Sequence, residues 1–130
     1  MSTQIKASFD VSNWDEHQFD VRAGAGKLTR ANVSKAYSGD IEGDSVTQWL
    51  MAYAEDGTAT FVGLERINGT IDGRDGTLVL QHVGAFEGGA AKAELTVVSG
   101  SCSGQLAGAT GGGSFVADPS GRVSLDVTLP

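Results

Sequence analysis

Glycine sets the turn spacing of this chain: sixteen of its nineteen glycines lie between Gly39 and Gly113. They separate short runs of Val, Ile, Leu, Phe, Thr and Tyr. Asp56-Gly57, Asp75-Gly76 and Gly88-Gly89 each stand between two such runs. Each dipeptide accepts the positive φ angles that tight hairpins demand. No segment carries a helical period. The pattern predicts an all-β, antiparallel barrel of about eight strands.

The 130 residues suit one domain spanning 1–130, long enough to bury a core without disulfides. No apolar run approaches the ~20 residues of a membrane-spanning helix. Met1 to Asp10 is polar and alternating, without the apolar segment of a secretion signal. The lone Cys102 suits a reducing, cytoplasmic setting. A net charge of −7 argues against nucleic acid and anionic membrane as partners and favours solubility.

Ile5, Ala7, Phe9 and Val11 alternate with polar residues and predict a first strand, and Val21 to Gly26 reads as a loop. Lys27–Ser38 is a second strand, weaker in pattern. Val46–Glu55, Thr58–Ile67, Thr77–Phe86 and Ala90–Val98 are the clearest strands. Ser101–Ala109 and Ser114–Ala117 are short ones, and Pro119-Ser120-Gly121 turns the chain into Arg122–Leu129. Gly39-Asp40-Ile41-Glu42-Gly43 is echoed by Gly69-Thr70-Ile71-Asp72-Gly73. Gly111-Gly112-Gly113 lacks the helix and Lys-Ser/Thr of a phosphate-cradling loop. These glycines read as bends and bulges at barrel corners.

Turn parity sorts the faces. A two-residue loop at Asp56-Gly57 sets Gln48, Leu50 and Ala52 opposite Glu65, Gly63 and Phe61. An even loop near Asp75 and the Gly88-Gly89 turn carry that face to Leu78, Leu80, His82 and Phe86, then to Ala91, Ala93, Leu95 and Val97. Lys92, Glu94 and Thr96 occupy the other face, so the first set points inward. Trp49, Met51, Tyr53, Val62, Leu64, Val79 and Val83 then form an apolar stripe outside, which predicts a homo-oligomer, most simply a dimer.

Gln48, Glu65 and His82 are the polar exceptions on the inner face. A two-residue turn at Asp75-Gly76 separates Glu65 from His82 by about 13 Å. A four-residue loop over Asp72–Asp75 makes them direct neighbours, a carboxylate–imidazole pair suited to acid/base work. The alternative is a structural Glu65 held by Gln48 or by backbone. The expected lining of a ligand cavity is Gln48, Leu50, Phe61, Glu65, Leu80, His82 and Phe86, with Glu65 and His82 the catalytic candidates. Asp15, Glu16 and His17 match no standard metal site, Cys102 has no neighbouring base, and no cofactor motif is present.

Trp14-Asp15-Glu16, Tyr37-Ser38-Gly39-Asp40-Ile41-Glu42-Gly43, Tyr53-Ala54-Glu55-Asp56-Gly57 and Phe61-Val62-Gly63-Leu64-Glu65-Arg66 together resemble a bacterial family of unknown function. Gly76-Thr77-Leu78-Val79-Leu80-Gln81-His82 and Gly104-Gln105-Leu106-Ala107-Gly108 extend the resemblance over nearly the whole chain. The resemblance implies a barrel similar to allene oxide cyclase, whose members close an unsaturated fatty-acid epoxide in a dry interior. None of their polar residues transfers by position. The chain is accordingly expected to bind a small apolar molecule in its barrel, or to act on one as a cofactor-free isomerase or cyclase.

Overall fold

A computed structural model describes residues 2–118 and 120–130 and contains strands β1 Thr3–Arg22, β2 Gly26–Gly39, β3 Ile41–Tyr53, β4 Ala59–Ile71, β5 Arg74–Glu87, β6 Ala90–Val97, β7 Ser103–Gly104, β8 Thr110–Ala117 and β9 Gly121–Thr128. No helix occurs among the described residues. Every pairing is antiparallel, and the order β4-β3-β2-β1-β9-β8-β6-β5 closes on itself through β4–β5. The two-residue β7 adds to the far end of β5. Ser101–Ala109 is thus mostly loop, not a barrel strand. Of the turn expected at Pro119-Ser120-Gly121, Pro119 lies outside the described residues, as does Met1.

The barrel is strongly sheared. From Phe9, cross-strand neighbours lead through Tyr37, Gly43 and Gly69 to Gly76 on β5; the other way they lead through Gly121, Ala117 and Ala91 to Phe86, a stagger of ten residues. Eight strands give an interior just wide enough to be filled by side chains or to hold one small ligand. Glycine makes the corner possible. Gly43 and Gly69 face each other with φ of 143° and 157°, and a Cβ on either would meet partner backbone oxygen at 2.2 and 2.0 Å. The echoed Gly39–Gly43 and Gly69–Gly73 segments are therefore bends, as expected.

Ile5, Ile41, Ile67, Ile71, Leu78, Leu80, Leu125 and Val127 fill one end, and Leu106 from the β7–β8 loop plugs it. Above them lies an aromatic layer of Phe9, Trp49, Phe61 and Phe115. At the other end the inward residues of β4, β6 and β8 are small: Ala59, Ala91 and Ala117. Here β1 overshoots. It pairs with β9 only as far as Phe9, then continues alone on β2 to Arg22. Two register shifts, between Val11 and Asn13 and between Gln18 and Asp20, bend this overhang. The first switches parity and turns Trp14 and Glu16 inward. Bulges and the charges of Asp10, Asp15, Asp20 and Arg22 also guard its open edge against unwanted pairing.

Two hairpins depart from the sequence expectation. At Asp56-Gly57, Ala54 N–H donates to Thr58 O, leaving a three-residue loop, and Asp56 Oδ1 accepts from Thr58 N–H and Oγ1–H. Three-residue hairpins place the third residue in the left-handed region, and Gly57 has φ 89°. An odd loop exchanges the faces of β3. Trp49 and Met51 therefore point inward, whereas Gln48 and Leu50 lie outside. The second departure is at β4–β5, which turn at Asp72-Gly73, not Asp75-Gly76, with Ile71 opposite Arg74. Asp72 and Gly73 take φ of 52° and 76°, the double left-handed conformation of a two-residue hairpin. The Gly88-Gly89 hairpin forms as read, with Glu87 opposite Ala90.

Candidate functional site

Alternation brings five polar side chains, Lys35, Tyr37, Ser45, Glu65 and His82, together inside the barrel. On β2, Ala31, Val33, Lys35 and Tyr37 point inward; on β3, Ser45, Thr47 and Trp49 do so; Glu65 and His82 enter from β4 and β5. Glu65 lies opposite Leu80 and His82 opposite Gly63, so the two meet diagonally, in neither of the two registers weighed from sequence. Glu65 Oε1 is 2.9 Å from His82 Nε2 and 3.4 Å from Lys35 Nζ. Tyr37 O–H and Ser45 O–H donate to Oε2 at 2.7 and 2.6 Å. Trp49 Nε1–H reaches His82 Nδ1 at 3.1 Å. Indole nitrogen only donates, so Nδ1 accepts and the imidazole proton sits on Nε2, donating to Glu65.

Lys35 has no reach to solvent, being 1% exposed. Its Nζ lies 4.3 Å from the Phe9 ring centre, 4.8 Å from Phe115 and 5.5 Å from Trp49, within cation–π range of all three rings. Burial pushes its pKa down, and the Glu65 charge offsets part of that push. For Glu65 burial acts upward, but the His82 hydrogen bond, Lys35 and Ser45 outweigh it and hold the carboxyl at about 2. Burial lowers His82 below its ordinary value despite Glu65, and Lys35 adds to the lowering. Tyr37 is raised by burial and by the adjacent carboxylate. At neutral pH Glu65 is a carboxylate and His82 a neutral imidazole.

These shifts fix a pH dependence. Because the folded pKa of His82 is depressed from 6.5, protons bind the unfolded chain first, and stability declines as pH falls below about 6.5. Glu65 is depressed from 4.5 to about 2, so a second decline, of about 3 kcal/mol in all, runs across that window. Lys35, Tyr37, Ser45 and Trp49 are the groups facing the pair. Urea midpoints measured from pH 8 to 3 should show both steps. Replacing His82 by Gln should flatten the first and shrink the second, because the His82 bond is the largest of the contacts that hold Glu65 low.

A second polar group stands at the overhang. Glu16 Oε2 accepts from Thr29 Oγ1–H at 2.6 Å and Tyr53 O–H at 2.7 Å, and Oε1 accepts from Trp14 Nε1–H at 3.1 Å. Burial acts upward on Glu16, but these bonds and Lys27 carry it below its usual value. Burial and the Glu16 bond push Tyr53 up to about 12. Trp14 lies edge-on to Trp49 with ring centres 5.5 Å apart, and is itself 45% exposed.

Of the residues expected from sequence, Phe61, Glu65, Leu80 and His82 are buried inside the barrel, and Phe86 stands half-exposed at its open rim. Gln48 and Leu50 take no part, since both project outward. Lys35, Tyr37, Ser45 and Trp49 belong to the cluster and were missed. Strict alternation of Thr29, Ala31, Val33, Lys35 and Tyr37 against Arg30, Asn32, Ser34 and Ala36 was the available signal. His17 bonds Asp15 on the surface, and among the described residues no group of three His, Cys, Asp or Glu side chains is placed to hold a metal ion.

Fold and interior together define a closed eight-stranded antiparallel barrel whose polar centre is a fully bonded carboxylate under an aromatic layer. The chain belongs to the DUF3224 family of proteins of unknown function, whose model matches residues 5–129. It is similar to the crystal structure of a DUF3224 protein of unknown function from Shewanella oneidensis MR-1, at 26% identity and a TM-score of 0.84, over 100% of this chain and 99% of that one. No curated protein matches.

Proposed function

We propose that the barrel binds a small apolar molecule at its Trp14 end, the ligand taking the place of the Trp14 ring over Trp49. One observation carries this: a half-exposed indole on an overhanging strand covers an otherwise buried aromatic floor. The opposite end is plugged by Leu106. At the Trp14 end the rim residues Phe86, Ala91, Ala117 and Tyr53 are only partly covered. Removing a half-exposed cap costs less than excavating a packed core, and flat rings pack well on Trp and Phe faces.

On this reading the Lys35–Glu65–His82 cluster is a positioning device. Its last bond, from Trp49 to His82, fixes the indole that forms the floor. The alternative, a cofactor-free isomerase or cyclase using Glu65 and His82, has less support. Glu65 already accepts four donors, and its low pKa makes it a weak base.

The neutral fluorophore N-phenyl-1-naphthylamine tests the proposal. It should bind saturably, one per chain, with an emission blue shift. Trp14→Ala should bind at least about threefold more tightly, because the competing ring is gone; this corresponds to about 0.7 kcal/mol. Leu50→Ala, on the outer face, should bind as the parent does. Absence of saturable binding in both parent and Trp14→Ala contradicts the proposal.

A further inference from the structure

The outer face of β3, β4 and β5 is apolar at its centre and oppositely charged at its two rims. Cross-strand pairing sets Arg30, Leu50, Val62, Val83 and Glu94 in one continuous row from β2 to β6. The next row reads Asn32, Gln48, Leu64, Gln81, Thr96. Leu50, Val62, Leu64 and Val83 are 50–55% exposed, four large apolar side chains side by side on a closed sheet. A patch of this kind marks an interaction surface more often than idle surface.

We propose that a second copy of this chain covers the face, with the two-fold axis running along β4. Both rows are self-complementary about that strand. A rotation that lays β4 on β4 brings each β3 over the partner's β5, so Leu50 meets Val83 and Gln48 meets Gln81. The same rotation sets Arg30 against Glu94 at both rims. Neither residue belongs to an ion pair among the described residues, so the charges are free for a partner. Isologous contact of this sort is the commonest way for a soluble chain to dimerise.

Charge balance favours the same occupant. The chain carries sixteen acidic residues and a net charge of −7, yet Glu94 is the only acidic residue in the two rows. Two copies repel each other through most of their surfaces and least through this one. Arg66 stands further along β4, opposite Val46 and Val79, and marks where the contact ends. Trp49 and Met51, expected from sequence in the outer stripe, take no part because they are core residues.

Sedimentation velocity on the full chain tests the proposal, with circular dichroism confirming that each variant keeps its strands. The parent should be a dimer at about 10 μM. Arg30→Glu or Glu94→Arg alone should weaken association about tenfold or more by placing like charges together, and the double exchange should restore it to within about threefold. Leu64→Glu should give a folded monomer. A parent that stays monomeric at about 100 μM overturns the proposal. So does a dimer indifferent to Leu64→Glu, or a double exchange no tighter than its singles.

Discussion

Replacing Glu65 by Gln should cost about 3–5 kcal/mol of folding stability, because it removes one member of a buried ion pair and keeps the other. The amide nearly preserves shape, so packing is not the cause. Lys35 Nζ is left buried among aromatic rings without its carboxylate partner. Tyr37, Ser45 and His82 lose a charged acceptor at the same step. Combining Glu65→Gln with Lys35→Met should recover more than half of the loss, since the buried amine left without its partner goes too. Urea unfolding of the two singles and the double provides the cycle. A Glu65→Gln variant as stable as the parent shows that the carboxylate is not the hub of the interior.

Trp49→Ala should be equally damaging, at about 3–5 kcal/mol, whereas its neighbour Leu50→Ala should cost less than about 1 kcal/mol. Trp49 is 4% exposed and packs against Phe61 and Phe115 while bonding His82. Leu50 projects from the other side of the same strand. The pair is a direct test of which face of β3 is inside. Equal losses, or a larger one at Leu50, reverse the assignment. Dilute samples are needed, because Leu50 also lies in the proposed dimer contact.

Much of the barrel is legible in the chain because hairpin chemistry is local. Gly88-Gly89 can form a double left-handed turn unaided, and the register of β5 against β6 follows from it. The failure at Asp56-Gly57 has an equally local cause. Asp56 caps Thr58 and closes a three-residue loop, and one residue of loop length decides whether Trp49 or Leu50 is buried. Ile71 and Arg74 extended their strands past the expected ends, so Asp72-Gly73 became the turn and Glu65 met His82 diagonally.

Lys35 shows a different limit. A lysine in an alternating strand normally marks the wet face, and only a carboxylate arriving from β4, thirty residues away, makes its burial tolerable. Such a partner has no local trace. The inward turn of Trp14 likewise depends on a bulge that no glycine announces, since the residues around it are Val11, Ser12 and Asn13. What the sequence did carry was the parity of Phe61, Glu65, Leu80 and His82.

The two indole N–H signals of the ¹⁵N-labelled protein report most directly on the proposed site, because the chain has two tryptophans and both are in it. Titration with N-phenyl-1-naphthylamine should move the Trp14 signal strongly as its bond to Glu16 is disturbed. The Trp49 signal should move with it through ring-current change while keeping its bond to His82. Both shifts should saturate at one ligand per chain. Two indole signals that stay fixed, while amides of Val62 and Leu64 on the outer face move instead, would contradict ligand binding at the Trp14 end.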